Sequence, residues 1–183
     1  MAFNSNVQIR KYANVQLTLT NDTIQQKLTE KFGEQLTEWN QPYGLLTFTA
    51  PKDLNLKVMT YLFDEPELNF RFLTDLTAVH YPNRTNEELA VVYHLHNLSA
   101  NIRLRMKVFA PVAQPDVYTA SGLFSSANWM ERETFDFFGV NFVGHPDLRR
   151  ILNVDEMDYF PLRKEFPLED QTRIDKDDDM FGR

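Results

Sequence analysis

His94 and His96 stand two residues apart, and on a strand both imidazoles would point the same way, so with His80 or His145 they could bite one metal ion. The plainer reading is a pair of sheet-surface or interface histidines, since no Asp or Glu stands at a ligand-like spacing beside them. Glu131, Arg132, Glu133 and Asp136 form a second cluster. Paired carboxylates can work as acid and base, but Glu131 and Glu133 diverge on a helix, whereas Arg132 and Asp136, four apart, can pair along one face. The expectation is therefore a solvated or partner-facing charged side. The chain has no cysteine, which removes disulfides, thiolate nucleophiles and cysteine-ligated iron–sulfur clusters. No serine sits in a nucleophile elbow, and no glycine-rich phosphate loop is present.

The third candidate is GHPDLRRIL, residues 144 to 152. Gly144 permits backbone that other residues avoid, Pro146 keeps His145 out of a helix, and Arg149 with Arg150 presents planar forks for carboxylates or carbonyls. A stiff turn carrying two arginines suits docking, and no nucleophile or base accompanies it.

These groups need a frame. Asn21, Asp22 and Thr23 offer caps for a helix whose Ile24, Leu28 and Phe32 recur four apart until Gly33. YGLLTFTA alternates Leu46, Phe48 and Ala50 against Leu45, Thr47 and Thr49, as a strand with one buried face does. Pro51 and Asp53 open a second helix with Leu54, Val58 and Leu62 on one stripe. RFLTDLTAVHYP, LAVVYHLHNL and NIRLRMKVFA read as three consecutive antiparallel strands. In the last, Ile102, Leu104, Met106 and Val108 face one way and Arg103, Arg105 and Lys107 the other, so one face of the sheet is wet and basic, or covered by something acidic. Ser125 or Ser126 can cap a third helix running to Phe138, with Ala127, Met130, Thr134 and Phe137 at helical spacing and Gly139 at its end.

This order predicts a two-layer α+β fold, helices packed on one face of a mixed, mainly antiparallel sheet. Residues 1–147 are expected to form the core domain. Residues 148–183, punctuated by Pro161 and Pro167 yet carrying Ile151, Leu152, Tyr159, Phe160, Leu162, Phe166 and Leu168, are expected to be an extended partner-binding arm. A formal charge of -7 argues against binding nucleic acid or anionic lipid without a local basic patch. The opening MAFNSNVQIRKYANVQ has neither the apolar core of a secretory signal nor the look of an organelle presequence, which points to an intracellular protein. No run approaches 18 apolar residues, so membrane association would come only through a partner.

The stretch NWMERETFDFFGVNFVGHPDLRRIL, residues 128 to 152, closely resembles the signature of the C-subunit family of the proton-pumping NADH–quinone oxidoreductase, respiratory complex I. The matching positions are Trp129, Glu131, Arg132, Glu133, Asp136, Phe138, Gly139, Phe142 and the whole of Gly144–Leu152. FLTDLTAVHYP, VVYHLHNL with RLRMKV, and FPLRKEFPLED extend the likeness over roughly residues 70 to 170. Departures are His80 and Glu165, where the family commonly has Asp, and NVDEMDYFP, which lacks a glycine-rich His-Pro.

The resemblance implies an accessory, structural subunit of the peripheral arm, without catalytic, cofactor or metal site of its own, flavin (FMN) and iron–sulfur clusters being held by partner proteins. The implied chief partner is the D-subunit, near where quinone is reduced. The implied place is the cytoplasmic side of the cell inner membrane, peripheral, in a hetero-oligomer that transfers electrons from NADH to quinone and translocates protons. Glu131, Arg132, Asp136, His145, Asp147, Arg149, Arg150, Arg163 and Lys164 are then expected to be interface and arm-anchoring residues. The alternative from another class is a free-standing metalloenzyme using His94 and His96.

Overall fold

Helix α1 (Asn21–Phe32) opens the structure, a computed structural model that describes residues 19–166. Its cap is Thr20, one residue ahead of the expected trio, whose hydroxyl accepts from the Thr23 N–H. Gly33, at φ 61°, closes it. Strand β1 (Thr37–Asn40) and strand β2 (Leu46–Ala50) follow, then α2 (Asn55–Asp64). Strands β3 (Phe72–His80), β4 (Leu89–Asn97) and β5 (Ile102–Ala110) form the expected antiparallel meander. A short β6 (Asp116–Tyr118), helix α3 (Ala127–Phe138) and β7 (Asn141–Val143) complete the regular elements.

The main sheet runs β1-β2-β5-β4-β3 and is antiparallel except where β2 lies parallel to β5. The predicted α+β class therefore holds, with one additional edge strand, β1, and a two-stranded parallel pair, β6 with β7, that no periodicity announced. The inward positions Leu46, Phe48, Leu104, Met106, Val108, Leu89, Val91 and Tyr93 are buried together with Ile24 and Leu28 of α1, Val58, Met59 and Leu62 of α2, and Ala127 of α3. All three helices thus share one core with one face of the sheet. Each large apolar side chain buried there contributes roughly 1.5–3 kcal/mol of transfer energy. Thr47, expected on the wet face, is buried as well, because β2 is interior, between β1 and β5.

On the other face Arg103, Arg105 and Lys107 point away from the core, as the alternation of β5 required. Ser126 occupies the N-cap position of α3, yet its hydroxyl donates to the Leu73 carbonyl of β3 and leaves the helix end uncapped. That bond, with the close packing of α3 on β3, fixes the helix against the sheet edge. Residues 148–166 contain no helix or strand and come after β7. Pro167, Leu168 and the acidic C-terminal stretch lie outside the described residues, as does the opening MAFNSNVQIRKYANVQ.

Candidate functional site

Asp136, in the last turn of α3, gathers the chain that follows Arg149. Its Oδ2 accepts the backbone N–H groups of Ile151, Leu152 and Asn153 at 3.1, 2.8 and 2.9 Å. Its Oδ1 accepts from Arg150 at 2.8 Å and from the Asn153 amide at 3.0 Å. Burial opposes the charge on this carboxyl, but the Asn153 and Leu152 N–H groups and the Arg150 fork outweigh it and hold the carboxyl well below the usual range. Among the described residues it is the most heavily hydrogen-bonded carboxylate.

Arg150 ties the knot from the other side. Beyond Asp136 Oδ1 it donates to the Asp136, Met157 and Tyr159 carbonyls and lies over the Phe160 ring. Arg132, expected to pair with Asp136 four residues on, does not: it donates to the Arg149 and Arg150 carbonyls and lies over Trp129. The expectation of a solvated or partner-facing side is corrected for Glu131 and Asp136, which are fully buried within the chain, and for Arg132, which is nearly so, while Glu133 is exposed. For Asp136 and Arg132 the physical reason is the arm, whose unpaired backbone groups must find partners wherever they are covered.

A second fastening lies at the end of α3. Leu162 donates its N–H to the Phe137 carbonyl, and Arg163 donates to the Phe138 carbonyl at 2.7 Å while stacking on Phe160. Gly139, at φ 74°, makes this possible, since a Cβ there would stand 2.5 Å from the Phe160 ring and 2.6 Å from Arg163 Nη2. The backbone N–H of Lys164 donates to His80 Nδ1 at 3.0 Å. His80 therefore supplies the acceptor that fixes the arm to the end of β3.

The turn Gly144–Asp147 packs against the first turns of α3. His145 Nδ1 accepts the Asp147 N–H, so Nε2 carries the hydrogen and donates to the Asn128 carbonyl at 3.1 Å. Glu131 Oε2 stands 3.9 Å from that nitrogen, both side chains wholly shielded from solvent. Glu131 accepts from the Thr119 hydroxyl and, at 2.6 Å, from the Ala120 N–H, but burial dominates and pushes its carboxyl up to about 7.

The sequence-derived residues thus divide. Glu131, Arg132, Asp136, Arg150 and Arg163 turn inward onto the chain itself, and His145 braces its own turn. Asp147 and Arg149 pair with each other in solvent, and Lys164 is exposed. Sequence reasoning missed Asn153 and the acceptor role of His80, and it read Phe160 only as one of the arm's apolar residues, whereas its ring packs inward on Arg150, Arg163 and Phe135.

The metal reading loses its ligands one by one. His94 Nε2 accepts from Arg105 at 2.9 Å, His96 Nε2 faces Asn101 Oδ1, and His80 and His145 are engaged as above. Among the described residues, no three His, Asp or Glu side chains gather in a metal-binding group.

Comparison with known proteins agrees with this frame. The family model described as "Respiratory-chain NADH dehydrogenase, 30 Kd subunit" matches residues 48–172. The chain is 41% identical over 155 residues to the C-subunit of the NADH-quinone oxidoreductase of Methylorubrum populi, covering 84% of this chain and 70% of that one. It is 37% identical to the corresponding protein of Geobacter sulfurreducens, covering 80% and 90%. Among solved structures, a trypsin-resistant fragment of Nqo5 superposes with a TM-score of 0.58 at 31% identity, over 68% of this chain and 98% of that one. A chain of the archaeal membrane-bound sulfane sulfur reductase superposes with a TM-score of 0.64 at 27% identity, over 80% and 85%.

Proposed function

The chain belongs to the family of the 30 Kd subunit of respiratory-chain NADH dehydrogenase, and from that premise we propose that it acts in NADH–quinone oxidoreductase as a structural subunit with no active site of its own. Flavin and iron–sulfur clusters belong, on this reading, to its partners. Its chief neighbour is the quinone-site D-subunit, in the peripheral arm, and the assembly sits at the cell inner membrane with this chain on the cytoplasmic side. Among the described residues no helix is long and apolar enough to cross a membrane, so attachment runs through partners.

The observation that carries this reading is the clamped arm. Most of its charged anchors are turned inward, while Leu152, Val154 and Leu162 remain 67, 63 and 45% exposed, and Trp129 beside Arg132 61% exposed. Apolar side chains displayed on a strap that five hydrogen bonds to one carboxylate hold in place form a contact surface, because a monomer gains nothing by presenting them to water. Asp147, Arg149 and Lys164 supply the polar rim of that surface. Arg132, Asp136, Arg150 and Arg163 serve it from behind, Glu131 backs the turn, and His145 sets the turn that leads into it.

The test is recovery of the tagged chain from its own cell membranes in mild detergent, with partner masses and flavin, iron and zinc contents measured. Partners bearing flavin and iron, with NADH–quinone activity, are the expected result. A lone chain carrying its own metal would overturn it.

A further inference from the structure

The Glu131 carboxyl takes no part in fastening the arm. It lies beneath an open groove of about 720 Å³ lined by Leu56, Thr60, Thr119, Ser121, Asn128 and Gly144.

Three separate segments meet at this carboxyl. Glu131 comes from α3, Thr119 and Ala120 from the loop after β6, and His145 from the turn after β7. The ionisable groups facing it are His145, with Nε2 at 3.9 Å, and the Tyr93 phenol of β4, which is itself wholly buried. Neither supplies a permanent positive charge, which is what a buried carboxylate ordinarily requires. The Thr119 hydroxyl touches Glu131 Oε2 on one side and lies 2.8 Å from the Ser121 hydroxyl on the other, and both residues line the groove.

We propose that Glu131 is a proton-binding site, connected to the groove by the Thr119 and Ser121 hydroxyls. In the protonated form Glu131 donates to Thr119 Oγ1, Thr119 donates to Ser121 Oγ, and Ser121 donates to water in the groove. On release, the Glu131 proton passes to Thr119, the Thr119 proton to Ser121, and the Ser121 proton to water, so that each hydroxyl ends neutral and every bond in the row points the other way. The carboxylate left behind keeps two donors, the Thr119 hydroxyl and the Ala120 N–H. Burial, which holds the carboxyl at about 7, places the exchange near neutrality. The site stands whether or not the chain assembles with partners, because every group in the row belongs to this chain.

The test is a pH titration of the full chain labelled with carbon-13 at the glutamate side-chain carboxyls, with Glu131 assigned from the signal missing in Glu131→Gln. The expected midpoint is near 7, well above the ordinary glutamate value of 4.5. Thr119→Val, which removes a donor to the ionised form, should raise it further. Ser121→Ala, a milder change at the groove, should leave the midpoint in place and slow exchange between the two forms, and it serves if the Thr119 variant fails to fold. A Glu131 midpoint in the ordinary range would overturn the site. Unchanged exchange in Ser121→Ala would overturn the connection.

Discussion

Asp136 and Arg150 meet at 2.8 Å with the carboxylate fully buried and the guanidinium nearly so, fourteen residues apart in the chain. Their pairing joins the last turn of α3 to the arm, and its removal should be felt along the whole segment.

Asp136→Ala should destabilise the chain by about 3–5 kcal/mol, because it strands a buried arginine and three backbone N–H groups. Hydrogen exchange at the amides of Ile151, Leu152 and Asn153 should accelerate together. Protection retained at those amides would mean that the arm is held by something else.

Gly139→Ala places a Cβ 2.5 Å from the Phe160 ring at a φ of 74°. The left-handed backbone alone costs about 1–2 kcal/mol. Exchange at the Leu162 amide, which donates to Phe137, should rise, while the β3–β5 meander keeps its protection.

Arg149 and Arg150 are neighbours with different duties. Arg150→Ala should lower the melting temperature of the free chain, whereas Arg149→Ala, at a side chain 70% exposed, should change stability by less than about 0.5 kcal/mol. Both should reduce recovery of the assembled oxidoreductase, Arg149→Ala through slower, less salt-sensitive association, as for a charge in a polar rim. Normal assembly of the Arg149 variant would remove that residue from the interface.

Glu131 makes stability depend on pH with a definite sign. Its carboxyl is raised from 4.5 to about 7 by folding, so its contribution is complete below pH 4.5 and is lost as pH rises through 7. Glu131→Gln cannot ionise. The stability difference between the variant and the parent should therefore shift toward the variant by on the order of 3 kcal/mol from acid to alkaline pH, read from urea unfolding. A difference that does not vary with pH would contradict the shift.

Much of the frame was legible because it rests on local pattern. The alternation of Ile102 to Val108, the span of α3 and the glycine that ends it each follow from periodicity and capping. The site was legible only in part. Arg132 and Asp136 have the spacing of a helical ion pair, but spacing says nothing of the arm's amides, which compete for the carboxylate and win. Ser126 looks like a cap and instead reaches across to Leu73, on a strand that only the tertiary fold brings near. The three-residue pair β6 with β7 is too short for any period to show.

The parallel pairing of β2 with β5 bears on the order of folding. Leu46 lies beside Leu104, so closing that ladder requires a long loop, whereas β3, β4 and β5 are joined by short turns. Loop closure entropy makes the meander the earlier event and the docking of β1 and β2 the later one. The arm is fastened to α3 and the end of β3, on the side that forms first. On refolding of the whole chain from denaturant, the amides of Ile151, Leu152 and Asn153 should accordingly gain protection with those of β3–β5 and ahead of those of β2, so that the contact surface is ready before the sheet is finished.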